Sequence, residues 1–173
     1  MVEGLLMTAV AAALGAFRDQ PSPPESASSN PFKLSSVVEE PASLVEINQA
    51  WPDHPLPEQL VEAWTTARQA RLFADVDYGQ WGLVLLPPNE SAQRTEKERS
   101  ARSGEYRPGD VVVGEFLGDQ ELVVLEGGSA RVLIALPLDD RSDWFIAAED
   151  LGQFLASYFE HGGDKFWEQR SGG

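Results

Sequence analysis

At 173 residues the chain has room for one domain with some thirty residues to spare. It holds no cysteine and two histidines, His54 and His161, which excludes a disulfide framework, thiolate metal sites and thiol nucleophiles and argues against imidazole-rich ones. Thirteen Lys and Arg against 28 Asp and Glu give a net charge of −15, which disfavours nucleic-acid backbones and anionic membranes and favours basic partners.

The chain opens with Leu5, Leu6, Ala9, Val10, Ala13, Leu14 and Phe17, the spacing of one helical stripe. Met1-Val2-Glu3 before it carries an acid and no base, unlike a secretory leader, and the run is too short to cross a bilayer. It reads as an amphipathic helix packing on its own domain or pairing two copies into a homodimer, in a cytoplasmic protein. Residues 20–31 hold four prolines and four serines and no large apolar side chain, so they read as a flexible linker. Residues 1–31 therefore stand apart from a single domain over 32–170.

Within that domain, Pro41 occupies the first turn of a helix carrying Leu44, Val45, Ile47 and Ala50 and stopped at Trp51-Pro52. Leu60, Val61, Trp64, Ala67 and Leu72 give a second helix from Glu58. Trp81 to Leu86 is a short apolar strand closed by Pro87-Pro88. Arg94, Lys97, Arg99, Arg102 and Arg107 sit among Glu96, Glu98 and Glu105, a solvated connecting loop of net +2 that leaves −17 elsewhere. Strands 111–117, 121–125 and 130–136 are joined by Gly118-Asp119-Gln120 and Gly127-Gly128-Ser129, turns short enough to force an antiparallel meander. These strands are apolar at successive positions, so both faces of the sheet should be covered. Ala147, Ala148, Leu151, Phe154, Leu155, Tyr158 and Phe159 form a wide helical stripe ending at Gly162-Gly163. The fold class is α+β, an antiparallel-rich mixed sheet (meander 111–136) flanked by helices. Its core should contain Trp64, Phe116, Ile134, Phe154 and Phe159.

Catalytic signatures are absent. No P-loop, dinucleotide fingerprint or Gly-x-Ser-x-Gly elbow occurs. Asp75-Val76-Asp77-Tyr78-Gly79 begins like a calcium loop, but Gln80 stands at its sixth position and Leu86 at its twelfth. Asp139, Asp140 and Asp143 crowd one loop before Trp144, where hydration opposes the raised pKa that acid–base work needs. No metal or cofactor is implied. The acids in turns, Asp75, Asp77, Asp119, Asp139, Asp140 and Asp143, are instead candidates for contact with a basic protein.

Several short motifs recur in a recognisable order. Leu56-Pro57 opens a helix; Tyr78-Gly79-Gln80-Trp81-Gly82-Leu83, Val113-Gly114-Glu115-Phe116-Leu117-Gly118-Asp119 and Asp143-Trp144 follow; Gly163-Asp164-Lys165-Phe166-Trp167-Glu168 closes the series. From about Pro41 to Glu168 the chain resembles the SUKH superfamily of Smi/Knr-type domains. The resemblance implies one sheet flanked by helices and, as in many bacterial members, an immunity protein that binds and blocks a toxin, frequently a nuclease. Fungal relatives imply a regulatory or scaffold role instead. No catalytic residue carries over, because the motif positions are glycine, aromatic and apolar. A hydrolase using the Asp139–Asp143 loop is the remaining alternative.

Overall fold

The computed structural model describes residues 8–24, 31–52 and 55–170. Among them the order is α1 (Ala9–Asp19), β1 (Leu34–Val38), α2 (Leu44–Ala50), α3 (Glu58–Thr66), β2 (Ala70–Asp75), β3 (Leu83–Leu85), α4 (Pro88–Ala101), β4 (Val111–Phe116), β5 (Leu122–Leu125), β6 (Val132–Ala135), β7 (Phe145–Ala148), α5 (Leu151–Glu160) and α6 (Phe166–Arg170). The seven strands lie side by side in sequence order and every neighbouring pair is antiparallel. The expected α+β class with a meander and flanking helices is the observed one. Its sheet is wholly antiparallel and wider than the three strands that short turns made legible.

Alternate residues divide the sheet into two buried faces. Leu83, Leu85, Val113, Phe116, Val123, Leu125, Val132 and Ile134 point to a front core shared with α1, α3, α5 and α6. Val84, Val112, Leu122, Val124, Leu133 and Ala135 point to a smaller back core closed by Tyr106 and Trp144. Both faces are covered, as the unbroken apolar runs require. Trp64, Phe116, Ile134 and Phe154 are buried and Phe159 is half-buried.

The expected boundary at residue 31 does not fall at the edge of the core. Val10, Leu14 and Phe17 of α1 are fully buried. Phe17 meets Phe73 edge-on at 4.8 Å and Phe159 at 5.1 Å. The stripe that was open to a second copy thus packs on its own domain, and α1 is a core element. The linker expected over 20–31 is described only at 20–24 and at Pro31, and His54 lies outside the described residues.

Local chemistry explains four further differences from the sequence reading. The loop expected at 94–107 is helical to Ala101, because α4 buries hydroxyls rather than an apolar stripe. Ser91 Oγ donates to Val112 O at 2.6 Å, and Val112 N–H donates to Thr95 Oγ1 at 2.8 Å. Helix α2 begins at Leu44, three residues beyond Pro41, because Ser43 Oγ accepts the Glu46 N–H and sets the cap there. Leu72 belongs to β2 and not to α3, and Ala147 and Ala148 belong to β7 and not to α5. Strands β1 and β2 meet with a bulge at which Phe73 takes φ 48° and donates its N–H to Ser36 Oγ at 2.8 Å. That turn of the backbone sends the Phe73 ring into the front core, and such an irregular strand has no clean two-residue period to read.

Candidate functional site

An antiparallel meander reverses at every connection, so alternate connections leave the same end of the sheet. The β2–β3, β4–β5 and β6–β7 connections share one end; five of the six candidate acids lie in them, and Asp75 is the last residue of β2, at the start of the first. Only some of these acids reach solvent.

Asp75, expected to project freely, is 4% exposed. Its Oδ1 accepts the N–H groups of Asp77 and Tyr78 at 3.1 and 3.2 Å, and its Oδ2 accepts that of Gln80 at 3.1 Å. Burial works against ionisation here, but the three backbone donors outweigh it and hold the carboxyl below its usual range. Asp75 is the staple of the β2–β3 turn and not a contact residue. The turn displays its neighbours instead: Asp77 is exposed, and Tyr78 is 75% exposed.

Asp119 is committed as well. It forms an ion pair with Lys165, whose Nζ also reaches Glu121 Oε1 at 3.0 Å. The same ammonium lies 5.4 Å from the Trp81 ring centre and 5.1 Å from that of Phe116. Trp81 Nε1 donates to Gly163 O at 3.0 Å. Gly118 takes φ 96°, and a Cβ there would collide with the carbonyl of Gln80. The glycine-aromatic motifs around 78–83, 113–119 and 163–168 therefore meet in one corner, where they lock two turns onto the start of α6. Burial and the nearby Glu168 push Glu121 up to about 7, while burial pulls Lys165 down.

Asp139, Asp140 and Asp143 are exposed, with Leu138 beside them 95% exposed. Their loop folds back across the sheet and is pinned through its backbone. Arg102 donates to Leu136 O at 3.0 Å and to Asp139 O at 2.6 Å, and Trp144 Nε1 donates to Asp139 O at 3.3 Å. Arg141 anchors the far side of this loop. Its Nη1 pairs with Asp110 Oδ2 at 2.6 Å and donates to Glu105 O at 2.8 Å, its backbone N–H donates to Glu105 Oε2, and its Nη2 lies 3.5 Å from Glu126 Oε2. Hydrogen bonds from Ser129 and Arg131 hold Glu126 down at about 2. Asp110 is 1% exposed and also accepts the N–H groups of Arg107 and Gly127. Sequence reading missed this network, since a lone acid 31 residues from its arginine leaves no local pattern.

Five candidates thus keep exposed carboxylates, Asp77, Asp119, Asp139, Asp140 and Asp143, and of these Asp119 is held in the ion pair with Lys165. Among the described residues no group of three or more His, Cys, Asp or Glu side chains is placed to hold a metal ion. His161 is occupied at a helix end, with Nδ1 2.8 Å from Ser157 O and its ring stacked on Phe166. Among the described residues no helix is long and apolar enough to cross a membrane. No protein-family model matches the chain, and no curated protein matches it.

Proposed function

We propose that this chain is a non-catalytic binding module that takes a basic protein on the exposed acids of its connections. The observation that carries this reading is the pairing of exposed apolar side chains with exposed acids. Tyr78 adjoins Asp77, and Leu138 adjoins Asp139 and Asp140, in connections leaving the same end. Tyr and Leu in water supply contact area, and carboxylates around them steer cations without having to be desolvated. The −15 charge adds a long-range attraction of the same sign.

The resemblance to the SUKH superfamily narrows the partner to a toxin, and a nuclease fits because it must carry cations to hold phosphate. On this reading the protein is a cytoplasmic immunity protein that neutralises by occupying the toxin's surface. The reading expects a gene beside its own to encode a basic protein, and stopped-flow association with that product tests it directly. Replacing Asp139, Asp140 and Asp143 by lysine should slow association at least tenfold at low salt. The difference should shrink above ~0.15 M salt, where the Debye length is about 8 Å. A folded triple variant that associates at the unaltered rate, at every salt concentration, overturns the assignment.

A further inference from the structure

Helices α1 and α5 lie side by side and run in the same direction. Ala9 sits against Gly152 at one end, where a Cβ on the glycine would come within 2.9 Å of the Ala9 Cβ, and Phe17 meets Phe159 at the other. Their buried sides, Val10, Leu14 and Phe17 on α1 and Leu151, Phe154, Leu155 and Tyr158 on α5, face the core. Their outer sides leave a groove of about 510 Å³, floored by Ala9, Ala12, Ala13, Ala16, Ala156 and Phe159. Its polar lining is Asp150, Gln153 and Glu160, with no Lys or Arg.

We propose that this groove seats an amphipathic helix of a partner protein, apolar on the inserted face and flanked by lysine or arginine. The inference rests on the reading above that the partner is basic, and it adds a second surface distinct from the turns. The groove's shape argues for a helix. Two parallel helices of ten and eleven residues make a seam ~15 Å long, and alanine walls let a third helix approach to about 8 Å. Charge selects which helix. Asp150 and Glu160 stand at the two ends of α5, so the occupant needs cations about three turns apart along one edge. A second copy of this chain is a poor occupant, because it would bring −15 against −15 across an acid-rimmed seam.

The probe is an 18-residue peptide with leucine and alanine at i, i+3, i+4 and i+7 and lysines flanking that stripe, read by fluorescence anisotropy at low salt. Two control peptides accompany it: one of the same composition with the stripe scrambled, and one with the lysines changed to glutamine. We expect the striped basic peptide to bind at least tenfold more tightly than either control. Ala12→Arg, at an exposed position, should weaken binding at least tenfold. Glu160→Gln should weaken it two- to threefold with the melting curve unchanged, and the Asp139/Asp140/Asp143 lysine variant should leave it intact. Equal binding of the scrambled peptide, or no effect of both groove variants, overturns the groove. Equal binding of the glutamine peptide overturns the basic-partner reading beneath it. Self-association in sedimentation that Ala12→Arg abolishes assigns the groove to a second copy and overturns the proposal. Binding seen only after removal of residues 1–7 does the same in favour of the chain's own first residues.

Discussion

The two faces of this sheet are closed by different physics. In front, a cluster of aromatic rings that includes Phe17, Phe73, Phe116, Phe154, Tyr158 and Trp167, and the apolar sides of α1, α2, α3, α5 and α6, exclude water by area. At the back the apolar cluster is smaller and is closed by Tyr106, Trp144 and an arginine loop tied to a buried aspartate, while Ser91 and Thr95 of α4 bond the β4 backbone at Val112. Trp144 joins the two modes there, packing on the strands while Arg102 and Arg141 lie 5.7 and 5.4 Å from its ring centre. A face closed by area tolerates exchange among apolar residues of similar volume. A face closed by a buried ion pair does not tolerate loss of one partner.

The sharpest test of the front face is to remove α1. Full burial of Val10, Leu14 and Phe17 is worth ~1.5–3 kcal/mol each, against a total stability of ~5–15 kcal/mol for a typical domain. Deleting residues 1–19 should abolish cooperative unfolding in urea. A truncated chain that still unfolds in one sharp transition would detach α1 from the core.

Single substitutions then compare the faces directly. Phe154→Ala should cost ~3–5 kcal/mol by leaving a cavity in front. Asp110→Ala should cost a comparable amount at the back for another reason: it removes the nearer ion-pair partner of Arg141, a side chain 10% exposed, and leaves Glu126 at 3.5 Å to meet its charge. The mechanisms separate in a double variant. Asp110→Asn with Arg141→Leu should be less damaging than Asp110→Ala alone, since no unpaired charge remains. Chemical denaturation of the three proteins decides it, and a double variant worse than the single one removes the ion-pair account.

The turns should respond less. Asp75→Ala leaves three backbone N–H groups without their acceptor and should cost ~1–3 kcal/mol in chemical denaturation.

The corner around Lys165 gives the smallest effect and a definite sign. Glu121 is raised from 4.5 to about 7 in the folded chain, so the folded state holds the proton more tightly than the unfolded one. Its contribution is full below pH 4.5 and is lost as pH rises through about 7. Between pH 5 and 8 the protein should therefore lose roughly 1–2 kcal/mol relative to Glu121→Gln, allowing for solvent screening. Parallel stability curves for the two proteins would show that Lys165 cancels the effect of burial.

Much of this architecture was legible because it rests on local periodicity. The β4–β5–β6 meander follows from Gly118-Asp119-Gln120 and Gly127-Gly128-Ser129, since turns that short admit one geometry. The stripe of Leu151, Phe154, Leu155 and Tyr158 identifies α5 for the same reason. Where burial is polar or the strand is irregular, as at Ser91 and Thr95 of α4 or the Phe73 bulge in β2, the period disappears and so did the element. The candidate acids divide along the same line. Sequence places all six in connections, but Asp75 and Asp119 are indistinguishable there from Asp139 and Asp140.

Composition and pattern alone determined the α+β class, the charge, the meander and the lack of catalytic motifs, because each depends on neighbours within a few residues. Tertiary structure decided that α1 belongs to the core, that Asp110 holds Arg141, that Asp75 is buried in its turn, and that Asp119 is paired with Lys165 while Asp77, Asp139, Asp140 and Asp143 face water. Those outcomes depend on which groups meet across 31 residues, as with Asp110 and Arg141, or 46, as with Asp119 and Lys165. A carboxylate's availability is set by the donors that reach it in space, and no spacing along the chain encodes them.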